Sequence, residues 1–130
     1  MLFISPPFGN YISLPHTKSI KGSYTLVPRS GLFSQILKTF RYSFKHNGWV
    51  NKIGLRNKGL EYGIKHYNCK NDIISIAILN ENEIPKILKI LPENTNIELN
   101  ISCPNVNKSL AHNQLSLFVN PQREWCIIKL

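Results

Sequence analysis

The chain has 130 residues, with 16 lysines and arginines against 7 acidic residues, a formal net charge of +9 and a pI near 9.7. That length suits one domain, 1–130, which hides roughly two-thirds of its unfolded surface, but it falls well short of the ~250 residues of a closed eight-stranded α/β barrel. The charge favours anionic ligands, no window reaches the ~18 apolar residues of a membrane span, and 1–7 lacks the charged and apolar regions of a secretion signal, so a cytoplasmic protein without a membrane partner is expected.

Residues 1–29 are rich in Pro, Gly, Ser and Tyr and show no sustained period, which predicts an irregular segment with short strands or turns over 2–4 and 23–27, closed by Pro28. From Ser30, Leu32, Phe33, Ile36, Leu37, Phe40 and Phe44 recur at steps of three and four, predicting an amphipathic helix capped by Ser30 and ended by Asn47-Gly48. A short strand over 50–55 and a brief helix to about His66 follow. The run 73–79 is apolar on both faces, as in a buried parallel strand. Asn80, with Glu83 three residues on, starts a helix over 81–91 with Pro85 in its first turn and Pro92 at its end. An alternating strand over 97–102, a helix around 113–119 and a last strand over 125–130 complete the chain. Strand starts near 50, 73, 97 and 125 are spaced as in repeated strand-helix units with right-handed crossovers.

In such a fold the chemistry gathers where the strands end. The stretch Asn96-Ile97-Glu98-Leu99-Asn100-Ile101-Ser102-Cys103-Pro104-Asn105 ends its alternation at a proline, setting a thiol and two carboxamides at a strand end. Cys103 is there a candidate proton-transfer group, although a free cysteine is also commonly a small buried apolar residue. Cys69 and Cys126 read as structural, and three cysteines without ligand spacing argue against a disulfide framework or a bound metal. Asn51, Asn57 and Asn80 fall at other strand ends and are equally well explained as loop-formers. Lys129, within an apolar run, needs an anionic or electron-rich partner if it faces a lumen and none at a frayed end.

The run Glu-Leu-Asn-Ile-Ser-Cys-Pro-Asn at 98–105 resembles the active-site strand of the dihydroorotate dehydrogenases, flavin enzymes built on a TIM barrel. Asn51-Lys52-Ile53-Gly54-Leu55-Arg56-Asn57-Lys58-Gly59 is similar to that family's Asn-x-x-Gly-Leu-x-Asn-x-Gly segment, and Lys21-Gly22-Ser23-Tyr24-Thr25 with Arg29-Ser30-Gly31 to its Lys-x-x-Thr…Arg-x-Gly segment. The resemblance implies a partial barrel of four to five parallel strand-helix units, FMN as cofactor, and oxidation of dihydroorotate to orotate in pyrimidine (UMP) synthesis. It implies that Asn51, Gly54, Leu55, Asn100 and Asn105 bind substrate. It gives Lys21, with Lys18 as a rival, and also Asn100 and Lys129, to the flavin. Cys103, where other members carry serine, is the choice of the soluble class 1 enzymes and would take the C5 proton of dihydroorotate while the C6 hydride passes to the flavin.

The sequence departs from that family at 30–47, where a helix stands in place of a short loop, and after Asn105, where glycines are sparse. The strands that carry the family's phosphate-binding loops fall outside these 130 residues, so weak retention of FMN is expected of the chain alone, together with a second copy or companion chain over the open sheet edges. The alternative is an inactive half-barrel that binds an anion or another chain. Binding to nucleic acid is disfavoured, because no aromatic-basic platform is present.

Overall fold

The computed structural model describes residues 1–102 and 112–130, the side chains of His112 and Asn113 excepted. In chain order the elements are β1 (Leu2–Ile4), β2 (Thr17–Tyr24), α1 (Leu32–Thr39), β3 (Arg41–Ser43), β4 (Gly48–Val50), α2 (Leu60–Lys65), β5 (Asp72–Ile76), α3 (Ile84–Ile90), β6 (Ile97–Asn100), α4 (His112–Ser116) and β7 (Cys126–Lys129). Five strands, in the order β1-β2-β5-β6-β7, pair in parallel throughout. They form a curled half-barrel, the partial α/β barrel expected from the sequence. The curl brings the ring of Phe3, on the first strand, to 5.3 Å from that of Trp125, next to the last, and Lys18 Nζ to 3.3 Å from a Glu124 carboxylate oxygen.

Residues in register on parallel strands share a face, which sorts the sheet into two sides. Ile74, Ile76, Ile97 and Leu99 face outward and pack with Leu60 of α2, Ile84 and Ile87 of α3, and Leu115 and Phe118. Each such side chain, taken from water, contributes about 1.5–3 kcal/mol. On the other side of the strands lie Ile73, Ser75, Glu98 and Asn100, a more polar row inside the curve. No helix among the described residues is long and apolar enough to cross a membrane.

Three expectations are corrected. The helix predicted from Ser30 to Asn47 is cut short at Thr39, because Phe40 is already extended (ψ 111°) and leads into an antiparallel β3–β4 hairpin. Its N-cap is Gly31, in the left-handed region (φ 89°), not Ser30. The helix-like spacing of Phe40 and Phe44 arises from aromatics of the hairpin region: Phe40 stacks on Trp49, and Phe44 meets Tyr42 edge to face. The strand expected over 50–55 is therefore no part of the barrel. Its place beside β5 is taken by β2, which runs over Thr17–Tyr24 and not over 23–27.

The helix expected over 81–91 is divided: Asn80 caps a 3-10 turn over Glu81–Glu83, and α3 continues from Ile84. Asn80 Oδ1 accepts the Asn82 N–H at 3.0 Å while the Glu83 carboxylate accepts the Leu79 N–H at 3.0 Å, a reciprocal pair at the helix entry.

Candidate functional site

Between Lys21 and Tyr24 the register of β2 against β5 slips by one residue, a bulge at Gly22 (φ 118°). Its effect is to turn Ser23 onto the inner side, where Ser23 Oγ lies 2.8 Å from Ser75 Oγ. Ser75 Oγ donates to Glu98 Oε1 at 2.7 Å, Asn100 Nδ2 donates to Ser23 Oγ at 2.8 Å, and Ser102 Oγ donates to Asn100 Oδ1 at 2.8 Å. A polar chain thus runs up the inside of the sheet from a buried carboxylate to the ends of the strands.

At those ends opens a cavity of about 550 Å³. Its walls come from the turn after β1 (Pro6, Pro7, Asn10, Tyr11), the end of β2 (Gly22, Ser23, Tyr24), the segment 51–58 with Tyr62, and the last residues of β6 and β7, Asn100 and Lys129. Asn100 and Lys129 stand side by side in register. The Lys129 carbonyl accepts the Ile101 N–H at 3.0 Å, but its ammonium makes no ion pair or hydrogen bond among the described residues. Gly54 (φ 69°) has open space where a Cβ would stand, so its backbone can approach a flat ligand closely.

The segment 51–58 is held by Asn57. Its Oδ1 accepts the N–H of Gly59 at 2.8 Å and of Thr25 at 3.2 Å, and its Nδ2 donates to Thr25 Oγ1 at 3.0 Å and to the Leu55 carbonyl at 3.1 Å. All four positions of the amide are used. Asn57 is therefore a loop-former, and so is Asn80 at its cap. Asn10 clamps the bulge from the opposite wall, accepting the Gly22 N–H at 2.7 Å and donating to the Gly22 carbonyl at 3.1 Å.

Of the residues singled out in the sequence, Asn51, Gly54, Leu55, Asn100 and Lys129 line this one cavity. Cys103 and Asn105 lie outside the described residues. The lysines of β2 do not line it. Lys21 is in register with outward-facing Ile74, and its ammonium pairs with Asp72 at 3.8 Å at the start of β5. Lys18 sits at the far end of the sheet, donating to the Lys70 carbonyl at 2.8 Å and pairing with Glu124.

Burial is the main cause that holds the Tyr24 phenol above its ordinary range, with Tyr62, Asp72 and Tyr11 adding to it; at the cavity wall Tyr24 acts as a neutral surface. Among the described residues no cluster of His, Cys, Asp or Glu could hold a metal.

Glu98, Ser75, Ser23 and Asn10 were not anticipated. For Glu98 a signal was present, since the alternation Ile97-Glu98-Leu99-Asn100 sets a carboxylate on the same face as the amide. The irregular stretch around Asn10 carried none.

Comparison with known proteins yields partial likenesses. The chain is 39% identical over 77 residues to a protein of Streptococcus agalactiae named dihydroorotate dehydrogenase A (fumarate), covering 51% of this chain and 24% of that one. It is 37% identical over 71 residues to a dihydroorotate dehydrogenase B (NAD(+)) catalytic subunit of Porphyromonas gingivalis, covering 48% and 23%. It is 36% identical over 98 residues to the protein of the same name from Desulforamulus reducens, covering 68% and 30%. The matched part thus makes up about a quarter to a third of these relatives' length. No family model and no solved structure matches.

Proposed function

We propose that this chain is the substrate-side half-barrel of a dihydroorotate dehydrogenase-like flavin oxidoreductase, of the type that uses a cysteine base. The observation that carries the reading is the convergence of Asn51, the Gly54–Leu55 backbone, Asn100 and Lys129 on one cavity at the carboxyl ends of parallel strands. The partial similarity to proteins of that name supports it. Asn51 and Asn100 hydrogen-bond the planar ring and carboxylate of dihydroorotate, joined by Asn105, while Cys103, three residues after Asn100, takes a proton from the substrate.

The residues present also suit the ring of FMN. Lys129, a cation with no partner among the described residues, and Asn100 beside it would hold the polar edge of the ring, and the Cβ-free face of Gly54 leaves room for a flat group. The flavin, when bound, supplies the acceptor for the substrate's hydride. Lys21, tied to Asp72, has no part in this arrangement.

Calorimetric titration with orotate is the test. Asn51→Ala and Asn100→Ala should each weaken binding by about 1–3 kcal/mol, or roughly 5- to 150-fold, whereas Cys103→Ala should leave it nearly unchanged. In a preparation that turns over dihydroorotate, Cys103→Ala should lower the rate by about two to four orders of magnitude. Absence of orotate binding, or equal affinity in both asparagine variants, would refute the reading.

A further inference from the structure

The polar chain on the inner side has a direction, and we infer that Glu98 is a positioning residue that fixes which way the Asn100 carboxamide faces. Glu98 is only 3% exposed and Ser75 is fully buried, so neither side chain is governed by bulk water. An ionised carboxylate only accepts hydrogen bonds, so the single hydroxyl proton of Ser75, 2.7 Å away, is committed to Glu98. Ser75 Oγ can then only accept from its neighbour at 2.8 Å, which commits the Ser23 proton in turn. Ser23 Oγ is left as an acceptor, and only the Nδ2 end of Asn100 can satisfy it at 2.8 Å.

The opposite end of the same amide is consistent with this order, since Oδ1 accepts from Ser102. Among the described residues, one N–H and one lone pair of Asn100 remain for the cavity, in a fixed left-right order. A ligand edge must offer an acceptor beside a donor in the matching order, as a ring amide does. Were the carboxylate replaced by a group that also donates, the hydroxyl chain could reverse and the amide could turn over.

The inference rests on the proposed function for its ligand, but its core can be tested without one. The full chain, labelled with ¹⁵N, gives a side-chain amide pair for Asn100, identified by its loss in Asn100→Ala. Glu98→Gln, nearly the same in shape, should move or double that pair while leaving the melting temperature unchanged. Ser75→Ala, which cuts the link between Glu98 and Ser23, should also move or double the pair, with a lower melting temperature because the buried carboxylate loses its donor, and serves if Glu98→Gln does not fold. An Asn100 pair indifferent to both substitutions overturns the inference.

With orotate as probe, Glu98→Gln should weaken binding about tenfold in the wild-type background and not at all in Asn100→Ala, because the effect passes through that amide. A loss of the same size in both backgrounds overturns it as well. Should the unaltered chain bind no orotate, the proposed function falls, and the amide resonances alone decide for or against the relay.

Discussion

Replacing Asn57 by alanine tests whether the cavity wall is stapled by one side chain. The backbone bridge between Arg29 and Asn57, with N–H···O distances of 2.8 and 3.0 Å, survives the change, so the loss is that of the carboxamide alone. The Thr25 and Gly59 N–H groups lose their acceptor, and both residues are buried, Thr25 to 1% exposure. A buried donor without a partner costs about 1–3 kcal/mol, while the less buried Leu55 carbonyl can recruit water at little cost. The sum is about 3 kcal/mol, a large fraction of the 5–15 kcal/mol that holds a typical domain together. With a slope of about 2 kcal/mol per molar, the urea midpoint should fall by roughly 1.5 M. Tryptophan fluorescence reports it from two separated points, Trp49 on the hairpin and Trp125 before β7. Because 51–58 lines the cavity, orotate affinity should fall with stability. A midpoint shift under about 0.25 M would show that the loop is held by its backbone bridge and that the four side-chain bonds are incidental.

Gly22→Ala would bring a Cβ to 2.7 Å from the Ser75 carbonyl at a φ of 118°, so it should destabilise by about 1–3 kcal/mol and, by shifting Ser23, weaken orotate binding more than a core substitution of equal cost; equal effects would mean the bulge is not part of the site. Alkaline pH should also destabilise the fold. Burial raises the Cys126 thiol above its ordinary 9.0, with Arg123 opposing, and burial is the first cause that raises Tyr24 and Tyr67 above 10.0. The unfolded chain then ionises first, so this stability is complete below about pH 9 and is lost as pH climbs through the raised folded values. Urea midpoints taken from about pH 8 to 11 should fall, and less steeply in Tyr24→Phe; an unchanged slope in that variant would remove Tyr24 from the effect.

The sheet was largely legible because its signals are local. The apolar run 73–79 and the alternation at 97–102 state their burial directly; β5 begins one residue before the first, at Asp72, and β6 lies within the second. What the sequence hid was set by pairing at a distance. Phe40 and Phe44 fit a helical period and a hairpin equally well, and only the partners Trp49 and Val50, across the turn at Asn47, decide between them. Lys21, expected at the flavin, does not line the cavity, for a related reason. A one-residue bulge reverses the face of everything after it, so Ser23 turns inward while Lys21, just before, stays with the outer layer. Of the residues that line the cavity, Asn51, Asn100 and Lys129 were singled out by their strand-end positions and by resemblance and Gly54 and Leu55 by resemblance alone, whereas Glu98 and Ser75 depend on how three strands lie side by side.

The two sides of the sheet divide the work. Outward, isoleucine and leucine meet helices and supply the stability; inward, every polar group must find a partner or cost energy. From Glu98 to Ser23 the inner chain meets much of that demand within itself, each serine hydroxyl donating once and accepting once. At the mouth, hydrogen-bonding capacity exceeds what the described residues consume, in the remaining N–H and lone pair of Asn100 and the ammonium of Lys129 one strand away. Such a surplus is costly in a fold and useful in a site. A flat ligand with an electron-rich amide edge, as the proposed flavin ring has, would satisfy both residues together, which is why a ligand of that chemistry, and not the basic surface as a whole, would give a lysine at the end of an apolar strand its partner.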